Sequence, residues 1–193
     1  MENKIIIAGF GGQGVQSLGM FIAFASIHDG KEVTFLPSYG PEMRGGTSNC
    51  SVVVSDKPVA SPIIAHPDIL IAMIKPSLYK FENTVKPGGT IIVNSSLIDD
   101  KVKRDDVKVL YVDANRLAVE AGNSRTANIV VLGAYTKLSG VFTPEIMKAV
   151  IEKKFAKKPK VIPANFAAFD LGYNSGTYRM MKRLSEKDSL FVL

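Results

Sequence analysis

The stretch KIIIAGFGGQG, residues 4–14, joins a short apolar run to a turn rich in glycine. Residues 4–8 have the length and aliphatic character of a buried strand, and residues 13–28 those of an apolar helix that ends at Asp29-Gly30. The predicted order is therefore strand, glycine turn, helix. In a doubly wound α/β sheet such a turn opens at the crevice where ligands bind.

The glycines of this turn, Gly9, Gly11 and Gly14, have the G-x-G-x-x-G spacing that holds the pyrophosphate of a dinucleotide in many proteins. Backbone N–H groups and the positive end of the following helix favour an anion there. The carboxylate that normally closes the second strand and binds the ribose is missing, because Glu32 opens that strand and TFLPSYG follows it at 34–40. The spacing alone is thus compatible with a phosphate site or merely with tight packing of strand against helix.

Apolar runs and turn signals divide the rest of the chain into alternating strands and helices. We expect strands at 32–36, 49–55, 69–74, 90–94 and 107–112. We expect helices at 76–84, 115–121, 126–138 and 143–155, and a last one within 163–184. The pattern predicts one α/β domain over residues 1–193, doubly wound, with a mainly parallel sheet, helices on both faces and a helical C-terminal portion.

The segment SYGPEMRGGTSNCSVVVSD, residues 38–56, is the most informative part of the chain. Pro41 and the glycine pair Gly45-Gly46 predict a turn-rich loop at the carboxyl edge of the sheet. The planar guanidinium of Arg44 suits a carboxylate or a phosphate, although it could also pair locally with Glu42. The loop is therefore a candidate contact surface for a ligand or a partner.

Four segments together resemble the gamma subunit of 2-oxoacid:ferredoxin oxidoreductases: GFGGQG (9–14), SYGPEMRGGTSNC (38–50), KPGGTIIVNSSL (86–97) and TANIVVLGA (126–134). The resemblance covers most of the chain and thins after about residue 160. It includes the gamma subunits shared by pyruvate and ketoisovalerate oxidoreductases. Pyruvate-type subunits tend to carry GPERRGAP where this chain has GPEMRGGT, so the sequence is more similar to the 2-oxoglutarate or branched-chain type.

The resemblance implies a subunit of a thiamine-diphosphate-dependent complex that decarboxylates a 2-oxoacid oxidatively, forms an acyl-coenzyme A and passes electrons to ferredoxin. It implies alpha, beta and ferredoxin-like delta subunits as partners, with thiamine diphosphate between alpha and beta and iron–sulfur clusters in other chains. The alternative is a free-standing Rossmann-type oxidoreductase that uses a nicotinamide.

The only cofactor expected on this chain is coenzyme A, whose diphosphate suits the glycine turn. The expected cofactor-binding residues are Gly11, Gly12, Gln13, Gly14, Ser38 and Tyr39. The expected partner or ligand loop comprises Gly40, Glu42, Arg44, Gly45 and Gly46.

No residue of this chain is expected to be catalytic. The two histidines, His28 and His66, lie in unrelated contexts, so a catalytic triad is not predicted. The single cysteine, Cys50, cannot hold an iron–sulfur cluster and is expected to pack as a small apolar residue. No metal site is predicted, because no cluster of ligands has suitable spacing. Thr126 and Asn128 are expected to cap a helix first and to contact a ligand only second.

The charge pattern leaves one further hypothesis to weigh. The net charge is +6, and residues 148–160 contain six lysines against one acid, Glu152. These lysines could attract nucleic acid, but apolar residues recur at helical spacing between them, which favours the solvated face of an ordinary helix. The basic region also lacks regularly interleaved aromatics and any helix-turn-helix or RNA-binding signature, so nucleic acid is not an expected partner. No apolar run approaches the roughly 18 residues of a membrane span, and the run at residues 5–8 is too short for a signal-peptide core, so a membrane is not an expected partner and a cytoplasmic location is expected.

Overall fold

The structure, a computed structural model, describes residues 1–40 and 46–179, with the backbone alone at 177–179. Its strands are β1 (Glu2–Phe10), β2 (Glu32–Tyr39), β3 (Thr47–Ser55), β4 (Ile69–Ala72), β5 (Thr90–Asn94), β6 (Lys108–Val112) and β7 (Thr177–Arg179). Its α-helices are α1 (Val15–His28), α2 (Lys75–Phe81), α3 (Ala114–Glu120), α4 (Ala127–Ser139), α5 (Pro144–Phe155) and α6 (Ile162–Asn174). Three short 3₁₀ turns lie at Glu82–Thr84, Ser124–Thr126 and Pro159–Val161.

The described strands form one sheet in the order β2-β3-β1-β4-β5-β6-β7. Strands β1, β4, β5 and β6 are parallel to one another. Strand β3 is antiparallel to both β1 and β2, and β7 is antiparallel to β6. Five of the seven strands, all but β3 and β7, therefore run in one direction, and the carboxyl ends of β1 and β2 lie at the same edge.

Alternate residues of the central strands enter two separate cores, as expected for a sheet buried on both faces. Ile5 and Ile7 of β1 join the larger core, which is covered by α1, α3, α4, α5 and α6. Ile6 and Ala8 join the smaller core, covered by Leu78 of α2 and by the loops around it. The predicted α/β class, with helices on both faces, is confirmed.

Several predicted boundaries, those of β1, β2, β3, β4 and α2, were wrong by two or three residues. Strand β2 does not end at residue 36 but continues through Pro37 to Tyr39. Proline is tolerated because β2 is an edge strand, where a missing N–H need not break a ladder hydrogen bond. The last helix, Ile162–Asn174, lies in the region predicted for it, whereas the strand β7 that follows it was not predicted. Gly176, between the two elements, has a φ of 120°.

The lysine-rich helix α5 is amphipathic, as predicted. Met147, Val150 and Ile151 are buried in the larger core, while Lys153 and Lys154 are exposed. Thr143 caps this helix by accepting the N–H of Ile146 at 3.4 Å, and Lys148 pairs with Asp170 of α6 at 2.7 Å. The lysines are thus the outer face of a packed helix. Across residues 1–40 and 46–179, no helix has both the length and the apolar character that a membrane crossing requires.

Candidate functional site

A cleft of about 370 Å³ opens where β1 passes into α1. Gly11, Gly12 and Gly14 form one side, and Tyr39, Gly46, Thr47 and Ser48 from the ends of β2 and β3 form the other. Phe10, Val15, Gln16 and Ser17 complete the lining. The structure therefore brings the glycine turn together with Tyr39 and Gly46, five of the residues that the sequence predicts for this site.

The glycine turn depends on backbone conformations that suit glycine. Gly12 and Gly14 have φ values of 95° and 75°, in the left-handed region where a side chain is strained. The Gln13 side chain folds back, and its Oε1 accepts the N–H of Phe10 at 2.8 Å. Gln13 is not among the lining residues of the cleft, so in this structure its side chain closes the turn.

The first turn of α1 has, beside the cleft, backbone N–H groups without acceptors among the described residues. Gly14 occupies the N-cap position, where no side chain caps the helix, and its carbonyl accepts the N–H of Leu18 at 2.9 Å. Within the described part of the chain, the N–H groups of Val15, Gln16 and Ser17 have no acceptor. Unpaired N–H groups at the positive end of a helix dipole favour an anion. The cleft can therefore bind a phosphate or a carboxylate.

The orientation of the two predicted β2 residues differs because side chains alternate along a strand. Tyr39 pairs in register with Ser48, and both line the cleft on the α1 side of the sheet. Ser38 pairs with Asn49, one position out of phase, and is not among the lining residues. The structure thus brings Tyr39 but not Ser38 to the glycine turn.

Two residues at the base of the cleft were missed by sequence reasoning. Gln16, on the first turn of α1, donates from Nε2 to Ser48 Oγ at 3.0 Å and to the carbonyl of Asn49 at 2.9 Å. Ser48 is only 4% exposed. The position of Ser48 inside the segment 38–50 was the available signal for including it in the site. Its contact with Gln16 depends on how α1 lies across β3, which the sequence does not show.

A third element, the start of α4, supports the turn from behind. Asn128 is 9% exposed, and its Nδ2 donates to the carbonyl of Gly14 at 3.4 Å. Thr126 does not cap α4 with its side chain, since its hydroxyl donates to the carbonyl of Asn123 at 2.7 Å. The predicted capping role of these two residues was wrong. Asn128 instead links α4 to the glycine turn.

The two ends of the predicted partner loop, Gly40 and Gly46, belong to the described residues. Gly40 donates its N–H to the carbonyl of Thr47 at 2.8 Å, and Gly46 accepts the N–H of Gly11 at 3.0 Å. The second bond ties the loop directly to the glycine turn. Glu42, Arg44 and Gly45 lie outside the described residues.

The cleft has little acid–base chemistry of its own. Tyr39 is its only ionisable lining residue among those described, so the attraction expected for an anion rests on backbone dipoles. Cys50 lies beneath the cleft, fully buried, with Sγ 3.7 Å from the carbonyl of Val15, and burial raises the pKa of this thiol to about 12. A protonated, buried thiol is inert, which agrees with its predicted packing role. In the described part of the chain, no three His, Cys, Asp or Glu residues are grouped as metal ligands.

Comparison with known proteins identifies the family. Residues 4–175 match the family model described as pyruvate ferredoxin/flavodoxin oxidoreductase. The chain belongs to this family. It is similar to ketoisovalerate oxidoreductase subunit VorA of Methanothermobacter marburgensis, with 37% identity over 89% of the chain. It spans only 36% of that protein's length.

Other members of this oxidoreductase family match from end to end. The 2-oxoglutarate synthase subunit KorC of Methanocaldococcus jannaschii is 36% identical, over 90% of this chain and 93% of its own. The crystal structure of the keto/oxoacid ferredoxin oxidoreductase gamma subunit from Geobacter sulfurreducens is 30% identical with a TM-score of 0.80, covering 90% and 95% of the two chains. The recognition of a gamma-type subunit is confirmed.

A further solved structure of the family bears on ligands. It is the 2-oxoglutarate:ferredoxin oxidoreductase from Magnetococcus marinus with 2-oxoglutarate, coenzyme A and succinyl-CoA bound. The match has 27% identity and a TM-score of 0.81, over 89% of this chain and 30% of that one. The region similar to this chain is therefore one part of a longer polypeptide there.

The alternative of a nicotinamide-dependent Rossmann enzyme is not supported by these relatives. The strand order supplies a physical reason. In a dinucleotide-binding sheet the strand after the first helix lies beside β1, whereas here β3 separates β2 from β1. At a strand spacing of roughly 4.8 Å, the end of β2 is displaced by about 10 Å from the glycine turn.

Proposed function

We propose that this chain is the non-catalytic gamma-type subunit of a 2-oxoacid:ferredoxin oxidoreductase that converts a 2-oxoacid and coenzyme A to an acyl-coenzyme A. The observation that carries the proposal is the end-to-end match to separate subunits, KorC and the Geobacter gamma subunit. The acceptor of the complex is ferredoxin. The complex works in the cytoplasm.

The chemistry is assigned to partner chains. Thiamine diphosphate is proposed to lie between the alpha and beta subunits. The iron–sulfur clusters are proposed to lie in other chains, because one cysteine cannot hold a cluster and the cysteine of this chain is buried at the α1–β3 contact. The role of this chain is to stabilise the assembly and to bind coenzyme A. The loop from Gly40 to Gly46 is proposed to meet a partner subunit or the bound coenzyme.

The proposed ligand of the cleft is the diphosphate of coenzyme A. Its support is physical: three free N–H groups at the start of a 14-residue helix, two lining glycines, Gly11 and Gly12, with no side chain to keep a ligand from the backbone, and no acidic side chain among the described lining residues. Coenzyme A bound to the Magnetococcus enzyme makes the same ligand reasonable for a relative.

The proposed substrate is 2-oxoglutarate or a branched-chain 2-oxoacid. Relatives named for each substrate are about equally similar to this chain, at 36% and 37% identity. Substrate choice is therefore assigned to the partner subunits and not to the cleft described above.

The test is reconstitution. The chain is co-expressed with the products of its neighbouring genes, the complex is purified, and coenzyme A-dependent reduction of ferredoxin is measured with 2-oxoglutarate, 2-oxoisovalerate and pyruvate. We expect activity with one of the first two, lost when this chain is omitted and restored when it is added back. A chain that purifies alone and reduces a nicotinamide without partners contradicts the proposal.

A further inference from the structure

Ser48 has an unusual position for a buried hydroxyl. It lies at the base of the cleft, 4% exposed, on the same face of the sheet as Tyr39. The only hydrogen bond of its side chain within the described residues is the one that Oγ accepts from Gln16 Nε2 at 3.0 Å. The hydroxyl hydrogen of Ser48 therefore has no acceptor among the described residues, although buried donors are normally paired.

The amide of Gln16 determines which way that hydrogen can point. Gln16 Nε2 also donates to the carbonyl of Asn49 at 2.9 Å, so both of its hydrogens are used. The reverse orientation places Oε1 against the Asn49 carbonyl oxygen, which is repulsive. Two donated bonds hold the amide as it is, even though Oε1 is then buried without a partner. Ser48 must accept from Gln16, and its own hydrogen is left to donate elsewhere.

The free hydroxyl and the free helix amides face the same space. Gln16 belongs to the first turn of α1, whose N–H groups at Val15, Gln16 and Ser17 lack acceptors among the described residues. Ser48 lines the cleft that these groups border. A donor preset by a neighbouring side chain costs little to organise when a ligand arrives, so it strengthens binding of a negatively charged group.

We propose that Ser48, oriented by Gln16, is a binding residue for the diphosphate of coenzyme A, a proposal that rests on the function proposed above. Ser48 donates a charge-assisted hydrogen bond to a phosphate oxygen, beside the amides of α1. The side chain of Gln16 has a positioning role: its amide does not touch the ligand but keeps the serine hydroxyl turned toward it. Neither residue was expected from the sequence motifs.

The experiment uses the reconstituted complex with Ser48→Ala, and Ser51→Ala as the matched control on the same strand but the opposite face. Coenzyme A affinity is measured by calorimetry without 2-oxoacid, and KM and kcat are measured by ferredoxin reduction. We expect Ser48→Ala to raise both Kd and KM for coenzyme A about 10- to 100-fold, as for a lost bond to a charged group. We expect kcat and the KM for the 2-oxoacid to change less than twofold, and Ser51→Ala to match wild type.

Three competitors identify the group that is contacted. Dephospho-coenzyme A keeps the diphosphate and should lose affinity in Ser48→Ala as coenzyme A does. Inorganic pyrophosphate should also inhibit the variant more weakly, whereas pantetheine, which has no phosphate, should inhibit both proteins equally. An equal loss for pantetheine, or a loss for coenzyme A without one for dephospho-coenzyme A, contradicts the assignment to the diphosphate.

Gln16→Leu tests the positioning role. It removes the bond that fixes Ser48, so coenzyme A should bind several-fold more weakly, and the double variant with Ser48→Ala should be no weaker than Ser48→Ala alone. Independent, multiplicative losses contradict the positioning role. Thermal midpoints and assembly by size exclusion must match wild type in each variant. A fully active complex with unchanged coenzyme A affinity in Ser48→Ala overturns this inference and leaves the proposed function standing, whereas an inactive wild-type complex overturns the proposed function itself.

Discussion

The side-chain amide of Asn128 donates a hydrogen bond of 3.4 Å to the carbonyl oxygen of Gly14, although the two residues are 114 positions apart. Gly14 ends the glycine turn and caps α1, and Asn128 lies in the first turn of α4. The contact is tight, since a Cβ added to Gly14 would lie 2.5 Å from Asn128 Nδ2. The starts of the two helices are therefore packed against each other behind the cleft.

This contact makes Gly14→Ala strongly destabilising. The φ of 75° disfavours any side chain, and the new methyl group overlaps the asparagine. We expect the free energy of unfolding to fall by about 2 to 4 kcal/mol in urea. In the Asn128→Ala background the same substitution should cost less, because the overlap with the asparagine amide is removed and the backbone strain and the 3.1 Å approach to the Cβ of residue 128 remain. Equal costs in both backgrounds, measured as a double-mutant cycle, contradict the packing argument.

The crossing of α4 and α6 predicts a second large effect. A Cβ at Gly172 would lie 1.8 Å from the carbonyl oxygen of Val130, so the helices approach backbone to backbone. Gly172→Ala should lower the free energy of unfolding by about 2 to 4 kcal/mol despite alanine's better helix propensity. Ala167→Val, on the exposed face of α6, adds more volume and should cost less than about 1 kcal/mol. A stable Gly172→Ala protein means that the helices are farther apart than the structure has them.

The burial of the Cys50 thiol predicts a loss of protein stability at alkaline pH. Burial raises the pKa of its thiol from 9.0 to about 12, so the unfolded chain loses this proton before the folded one does. The stabilisation is fully present below pH 9 and is lost as the pH rises toward 12. Relative to Cys50→Ala, the wild-type free energy of unfolding should fall by about 1 kcal/mol per pH unit above roughly pH 9.5. In the native protein at pH 8, Ellman's reagent should leave this thiol unmodified, and fast labelling counts against its burial.

Gly12 offers a test of the cleft with a matched control. Gly12 and Gly88 both have positive φ, 95° and 77°, and both have open space where a Cβ would be added. Replacing either with leucine should therefore strain the backbone to a similar extent, by about 1 to 3 kcal/mol. Only Gly12→Leu projects into the cleft, so only this variant should weaken coenzyme A binding by the complex. An unchanged KM for coenzyme A in Gly12→Leu would falsify the assignment of the glycine turn.

Arg44 is predicted from the sequence to act at an interface. Because the sequence predicts a loop at the carboxyl edge of the sheet for this residue, Arg44→Ala should change the stability of the isolated subunit by only a few tenths of a kcal/mol. If its guanidinium pairs with a buried carboxylate or phosphate, association or ligand binding should weaken by about 2 to 5 kcal/mol. Thermal midpoints and reconstitution titrations separate the two effects. A large drop in the midpoint with normal assembly makes Arg44 a structural residue.

The structural elements that are determined by residues close together in the sequence could be predicted from the sequence. The apolar run of residues 4–8 and the glycines after it predicted β1, the turn and α1, and Thr143-Pro144 predicted the start of α5. The physical reason is that strand and helix periodicity, helix capping and positive φ are properties of a few consecutive residues. The anion site at this turn stays a prediction, and its proposed donors are backbone N–H groups of the helix that follows it.

What only the tertiary structure decided is which distant segments meet. The order β2-β3-β1 places a strand between the two that a dinucleotide site brings together, and no local pattern encodes that pairing. The phase of β2 against β3 turns Tyr39 toward the cleft and Ser38 away, since a shift of one residue reverses every side chain. The sequence by itself determined the glycine turn and its helix. Long-range packing alone decided the Gln16–Ser48 pair, because that contact exists only where α1 crosses β3.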